Sequence, residues 1–398
     1  MSDLDVLRFN FPTPIDFGVG ARKKIIGELA QRGLSKPLIV TDQGLAKLPL
    51  IHDYKVFLEG EGLNVGLYSG VVGNPVRSQV LSGVESYRGH GADAVVAIGG
   101  GAAMDVAKVI ALLINHPGDP FDYVDGDPNA LPVDKGFPFL CALPTTAGTG
   151  SEVGRSSVVS DDETHVKKII FSPKMLPAHV FADPELTLEL PAAITAATGM
   201  DALTHCVEAY LAKGFHPMCD GIALEGIRLV AENLKACVDF ATIGAEELDI
   251  DGEAGIMAHV QARSNMLLAS LMGAVAFQKG LGVNHSMAHA LSTVCDLHHG
   301  LANGVMLPFS MTFNEEGVPD RFRRMEQAAG VGENHFNRWI EQLRAEIDIP
   351  ADLSSLGVTE AHLDELVSVA LADPCHTLNP VPVTKLDFEG MFQAAIGC

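Results

Sequence analysis

Ala92-Asp93-Ala94-Val95-Val96-Ala97-Ile98 runs straight into Gly99-Gly100-Gly101 and then into Ala102 to Lys108, an order of apolar strand, glycine turn and helix start. An uninterrupted apolar run of this length reads as a strand buried on both faces, which belongs in a parallel sheet covered by helices. The rest of the first half repeats the theme. Pro37 to Thr41, Gly62 to Val71 and Phe137 to Leu143 read as further strands, with amphipathic stretches such as Val80 to His90 between them. That order predicts a Rossmann-like parallel sheet with helices on both faces. From Pro191 onward the texture turns to Ala- and Leu-rich segments of helical period, as in Ile222 to Phe240 and Gly255 to Ala276, with no convincing strand. A length of 398 residues suits two domains. We expect an α/β domain over residues 1–187 and an all-helical domain over 188–398, divided in the stretch where Pro184 and Pro191 bracket a short connection.

The strand, triple glycine and helix bring backbone N–H groups and a positive helix end to where a phosphate can sit. A glycine triplet is equally a tight turn, and the Gly-x-Gly-x-x-Gly fingerprint is absent. Asp42 closes the strand that starts at Pro37. It is placed either to accept from the hydroxyls of an adenosine ribose, which favours NAD over NADP, or to cap the helix that follows. Pro144-Thr145-Thr146-Ala147-Gly148-Thr149-Gly150-Ser151-Glu152 follows a strand with hydroxyls and small residues. Such a loop suits a carboxamide or a ribose, and it also makes an ordinary turn.

The second half carries a different chemistry. Asp201 and His205 are four apart, as are His285 and His289, so on helices each pair shares one face. His299 adds a further imidazole, with Gly300 marking a helix end. A lone His-x-x-x-His pair is often surface or core furniture, but two pairs with His299 favour a metal. One carboxylate with several imidazoles suits Fe(II) or Zn(II) better than Mg(II) or Cu(I), and the ligand types do not choose between the first two. The seven cysteines are odd in number and scattered, with no Cys-x-x-Cys pair, so they read as reduced thiols and the metal rests on Asp and His.

The phrases GMDALTH, HSMAHALS and HHGLANG resemble the signature segments of the iron-containing alcohol dehydrogenase family, whose fold is shared with dehydroquinate synthase and glycerol dehydrogenase. The likeness runs from Phe17-Gly18-Val19-Gly20-Ala21 to Asp373-Pro374-Cys375-His376. It implies Asp201, His205, His285 and His299 as ligands of Fe(II) or Zn(II), with His289 beside the metal as a proton-relay residue. His298 has no matching role and reads as a solvated neighbour. The resemblance further implies that Gly99, Gly100 and Gly101 cradle the pyrophosphate of NAD, with Asp42, Asp105, Lys108, Thr145, Thr146, Thr149 and Lys167 on the cofactor side. Ala102 stands where many relatives carry Ser, so one hydroxyl donor to phosphate is missing.

These features lead to an NAD(H)-linked alcohol dehydrogenase or aldehyde reductase. The metal polarises the substrate oxygen while hydride passes between the carbinol carbon and the nicotinamide, and His289 or a water chain carries the proton. The alternatives are a dehydroquinate synthase-type or glycerol dehydrogenase-type enzyme on the same fold, or a metal-stabilised protein without catalysis. A net charge of -23 argues against nucleic acid or an anionic membrane as partner. Met1 to Asn10 lack the pattern of a signal peptide, and no apolar stretch approaches the ~18 residues of a membrane span. A cytoplasmic enzyme with a small alcohol or aldehyde as partner is expected. The family resemblance adds a homodimer or higher homo-oligomer, paired through a strand in Leu7 to Phe17. Arg155 offers a guanidinium for an anionic substrate group, or else pairs with an acidic neighbour. Cys375 and His376 stay outside the catalytic set, because Val381 replaces the Arg that commonly ends their segment in relatives.

Overall fold

The computed structural model describes residues 9–164, 166–243, 252–333 and 335–397. Cys398 and the first part of the Leu7 to Phe17 segment lie outside them. Six strands, β1 (Ile15–Phe17), β2 (Pro37–Asp42), β3 (Gly66–Val71), β4 (Ala94–Gly99), β5 (Phe139–Pro144) and β8 (His179–Ala182), form one sheet in the order β1-β8-β5-β4-β2-β3. Every neighbouring pair is parallel. β4 is buried along its whole length, as its unbroken apolar run predicts, and pairs with β5 from Ala94↔Phe139 to Gly99↔Pro144. β3 begins at Gly66 rather than Gly62, because Gly62 turns the chain at φ 88°.

Four helices cover the sheet: α1 (Ile25–Gln31), α2 (Pro49–Gly60), α3 (Arg77–His90) and α4 (Gly101–Asn115). Ile25, Leu29, Ile51 and Leu58 of the first two pack on Ile39, Val96 and Ile98, and Val80, Val84, Val106 and Ile110 of the others pack on Leu38, Val40, Val95 and Ala97. The two sets of strand residues alternate along β2 and β4, so each set faces its own helices. A two-stranded antiparallel hairpin, β6 (Ser156–Ser160) and β7 (Lys167–Phe171), stands apart from the sheet.

After β8 the chain passes through a short 3-10 turn, Pro184–Thr187, into α5 (Ala192–Leu211) and α6 (Pro217–Ile243). There follow α7 (Gly252–Ala276), α8 (Val283–Val294), α9 (His299–Glu315), α10 (Pro319–Ala329), α11 (Phe336–Glu346), α12 (Leu363–Ala372) and α13 (Lys385–Ile396). α5 is buried nearly all round at the centre of this bundle. Leu267, Leu271 and Ala274 of α7 join the core beneath α4, which seats the helical part on the sheet. Buried Arg263 of α7 donates to Thr195 Oγ1 (2.8 Å) and Leu190 O (3.1 Å), fastening the connection where α5 begins. Among the described residues no single helix is long and apolar enough to cross a membrane.

Candidate active site

Helix α5 presents Asp201, His205 and Glu208 at i, i+4 and i+7, a buried stripe of ionisable side chains on one face of the helix. The first two turns of α8 carry His285 and His289, and α9 opens on His299. Ligand atoms of Asp201, His285 and His299 lie within 4.8 Å of one another. His205 Nδ1 stands 4.0 Å from Asp201 Oδ1, and its ring is 4.7 Å from that of His285. Two atoms in this cluster, His205 Nδ1 and His285 Nε2, are buried without a hydrogen-bond partner. Leaving such an atom unpaired costs on the order of 1–3 kcal/mol, which a coordinated cation removes. The donor set and its orphaned nitrogens fit a divalent metal of the Fe(II) or Zn(II) kind.

The electrostatics favour ligands in their metal-binding forms. Burial holds His205 neutral, its pKa pushed down to about 4, and burial also takes His299 well below the usual histidine range. Burial opposes ionisation of Asp201, yet the neighbouring imidazoles and an Asn303 hydrogen bond keep its carboxyl below the usual range. His285 differs. Burial would lower it, but the hydrogen bond and charge of Glu208 win and raise it.

Three residues of this neighbourhood escaped the sequence analysis. Glu208 Oε2 lies 2.6 Å from His285 Nδ1. Asn303 donates from Nδ2 to Asp201 Oδ1 (2.7 Å) and sits 3.2 Å from His299 Nε2. Asp373 Oδ2 lies 2.8 Å from His289 Nδ1, and its Oδ1 accepts from Ser286 Oγ (2.8 Å) and Cys375 N (2.9 Å). The i+3 spacing of Glu208 from His205 and the i+4 spacing of Asn303 from His299 were the available signals. His289 stacks on His299 with ring centroids 5.2 Å apart and keeps 30% of its side chain exposed. His298 is an exposed N-cap of α9, its Nδ1 accepting from Leu301 N.

Gly300 lies at the start of a helix, not at an end. A Cβ there would run into the Ala197 carbonyl, so the glycine lets α9 press its first turn against α5 and bring His299 to Asp201.

In the α/β part, β4 ends in the glycine turn. Gly99 adopts φ 151°, and a Cβ on it would meet Ala103 Cβ at 2.7 Å, with Asp42 Oδ2 at 3.7 Å. A Cβ on Gly100 would face Thr146 Oγ1 at 3.2 Å, and one on Gly101 would meet Thr149 Oγ1 at 2.8 Å. Thr145 is buried and donates its N–H to Gly99 O (3.0 Å), fixing the two loops together. Asp42 Oδ1 caps the next turn by accepting from Leu45 N (2.9 Å), and Oδ2 lies 3.7 Å from where a Cβ on Gly99 would stand.

Asp105 and Lys108 lie deeper than the sequence suggests. Lys108 is buried and donates to Ser151 Oγ (2.7 Å) and Ser156 O (2.9 Å), while Asp105 accepts from Ser151 Oγ (2.6 Å) and Val158 N (2.9 Å). Their partners are protein atoms, and the knot ties α4 to the β6–β7 hairpin. Lys167 is half-buried at the start of β7; burial lowers its pKa against the opposing pull of Asp296, which also accepts from Asn74 (3.3 Å). Arg155 stands over the Phe171 ring at 5.7 Å and lines a cavity of about 340 Å³ with Phe11, Phe277 and Gln278. None of the four candidate metal ligands lines that cavity.

The profile described as Iron-containing alcohol dehydrogenase matches residues 12–184, and that described as Fe-containing alcohol dehydrogenase family, C-terminal, matches 195–248 and 251–396. The chain is 36% identical to 4-hydroxybutyrate dehydrogenase of Cupriavidus necator, over 96% of this chain and 98% of that protein. The crystal structure of a 1,3-propanediol oxidoreductase superposes with TM-score 0.88 at 34% identity, covering 98% of this chain and 100% of that one. The sulfoacetaldehyde reductase of Bifidobacterium kashiwanohense, solved in complex with NAD+, gives TM-score 0.85 at 27% identity with 99% of each chain covered. The chain therefore belongs to the iron-containing alcohol dehydrogenase family. It is an oxidoreductase acting on CH–OH groups.

Proposed function

We propose that this enzyme interconverts a short primary alcohol and its aldehyde, with NAD(H) as the hydride partner and Fe(II) held by Asp201, His205, His285 and His299. The observation that carries the reading is the pair of buried, unpartnered nitrogens, His205 Nδ1 and His285 Nε2, beside Asp201 and His299. Such a metal, when bound, supplies Lewis-acid polarisation of the substrate oxygen.

The remaining work falls to the chain. The Gly99 to Gly101 turn, with Thr146 and Thr149 packed against it, offers backbone N–H groups to a pyrophosphate at the start of α4. Asp42 disfavours a 2'-phosphate by its charge, which supports NAD over NADP. His289 has Nδ1 tied to Asp373, so Nε2 is the atom that takes or gives the proton, and its partial exposure gives that proton a path to water. The related enzymes named for 4-hydroxybutyrate and 1,3-propanediol support a substrate of three or four carbons with a polar group at its far end. The reading includes a cytoplasmic location and a homo-oligomer; sedimentation of the purified enzyme tests the second, and cell fractionation the first.

The direct experiment follows NADH absorbance with protein loaded anaerobically with Fe(II) or Zn(II), against a metal-free control. Propanal, 3-hydroxypropanal and 4-oxobutanoate serve as substrates. Metal-dependent NADH oxidation with preference for the two bifunctional aldehydes is the expected result. Metal-independent turnover, or none with any of the three, would remove the reading.

A further inference from the structure

Glu208 lies on α5 one helical turn beyond His205, and among the described residues the start of α8 alone donates to its carboxylate. Oε1 accepts from Asn284 N (2.6 Å); Oε2 accepts from Gly282 N (3.1 Å), His285 N (3.2 Å) and His285 Nδ1 (2.6 Å). The side chains of Glu208 and His285 are each only 1% exposed, so water does not compete for these bonds. The three backbone donors are the ones a helix leaves unpaired at its first turn, and a carboxylate there also complements the helix dipole.

The fourth bond does something a cap does not. A carboxylate that accepts from Nδ1–H fixes the imidazole tautomer and leaves the lone pair on Nε2. That Nε2 is the buried, unpartnered atom beside Asp201 and His299. A second feature shows how closely the carboxylate is seated: a Cβ on Gly282 would meet Glu208 Oε1 at 2.6 Å and Asn379 Oδ1 at 2.8 Å, so the glycine leaves room for both side chains.

We propose that Glu208 is a positioning residue of the metal centre: it holds His285 as its Nδ1–H tautomer with Nε2 aimed at the ligand cluster, and it sets metal affinity without touching the metal. This rests on the metal site proposed above. Together with Asp201 it places two carboxylates against one divalent cation, so the filled site approaches neutrality with its imidazoles uncharged. The Asp373–His289 pair resembles it in form but not in setting, since His289 keeps 30% of its side chain exposed and can exchange partners with water.

The test compares wild type with Glu208→Gln and, independently, Gly282→Ala, which pushes the carboxylate from the other side. Zn(II) affinity is measured by competition with a chromophoric chelator, alongside the visible spectrum of the Co(II)-loaded protein, NADH binding by fluorescence and the thermal midpoint of metal-free protein. Both variants are expected to lose roughly 10- to 100-fold in Zn(II) affinity and to change the Co(II) spectrum, with NADH affinity unchanged. A lowered midpoint with Zn(II) affinity and Co(II) spectrum as in wild type would reduce Glu208 to a helix cap and overturn the proposal. Should both variants fail to fold, nitrogen-15 histidine spectra of zinc-loaded wild type decide: a proton on His285 Nδ1 supports the proposal, and a proton on Nε2 overturns it. If wild type itself does not bind Zn(II) or Co(II) stoichiometrically, the metal reading falls and takes this proposal with it. Equal binding by wild type and variants sinks the role of Glu208 alone.

Discussion

His289 and Asp373, 84 residues apart in the chain, meet through a 2.8 Å contact between Nδ1 and Oδ2. Burial would push the Asp373 carboxyl up, but the hydrogen bond and charge of His289, with donors from Cys375 and Ser286, hold it well below the usual carboxylate range. An ionised Asp373 therefore fixes which His289 nitrogen carries the structural proton and which remains for exchange.

Asp373→Asn is accordingly expected to lower kcat by roughly 10- to 100-fold while leaving KM for NADH within twofold, because the amide can present the wrong polarity to Nδ1. Steady-state rates of the metal-loaded enzyme check this. If Asp373 acts through His289, the double variant with His289→Gln will be no slower than His289→Gln alone. Additive losses would assign Asp373 a separate role.

Much of this architecture was legible in the residues. β2, β4 and β5 announce themselves through continuous apolar runs, and α3, α6 and α7 through helical period. β8 was not read, since four residues are too few for periodicity to register; β1 closes the Leu7 to Phe17 segment in which a strand is expected, and here it extends the edge of the sheet beside β8. The β6–β7 hairpin, Ser-Ser-Val-Val-Ser against Lys-Lys-Ile-Ile-Phe, carries too many polar residues to stand out. At the site, helical spacing makes the Asp201–His205 and His285–His289 pairs visible. Asp373 is hidden because its contact depends on how α8 and the segment after α12 pack, which no local pattern encodes. Lys108, which only the family resemblance puts on the cofactor side, is buried against Ser151 and Ser156, a placement that depends on how the β6–β7 hairpin packs on α4 and that no local pattern encodes.

The close approach of α9 to α5 rests on Gly300. Gly300→Ala sets a methyl against the Ala197 carbonyl, which is backbone and cannot rotate away, so α9 must retreat and carry His299 with it. A stability loss of about 1–3 kcal/mol is expected, together with weakened metal binding. Chemical denaturation and Zn(II) titration measure the two effects. Unchanged metal affinity would mean that His299 is not held by this contact.

In the glycine turn after β4, Gly99→Ala adds both strain at φ 151° and a collision with Ala103 Cβ. NADH affinity is expected to fall at least about tenfold, with Zn(II) affinity preserved, because the distortion sits in the phosphate turn. Asp42→Ser removes a charge facing the same turn but keeps a side-chain oxygen for the Leu45 cap. Its NADPH to NADH ratio of kcat/KM should rise, and a ratio equal to that of wild type would return Asp42 to a capping role only.

Glu152 supplies a pH dependence that the metal centre does not dictate. Its side chain is buried, Oε1 has no hydrogen-bond partner, and burial raises its pKa to about 7 against the weaker opposing pulls of a backbone hydrogen bond and the Lys108 charge. In the unfolded chain the same carboxyl titrates near about 4.3. Between those values the folded protein holds a proton that the unfolded chain has released. The contribution of Glu152 to stability is therefore full below about 4.3 and is lost as pH rises through 7. Glu152→Gln mimics the protonated form at every pH. The difference in thermal midpoint between this variant and wild type, both metal-free, is expected to turn in favour of the variant as pH goes from 5 to 8. A difference that stays constant over that range would mean that Glu152 ionises at its ordinary pKa, with water or a cation reaching Oε1.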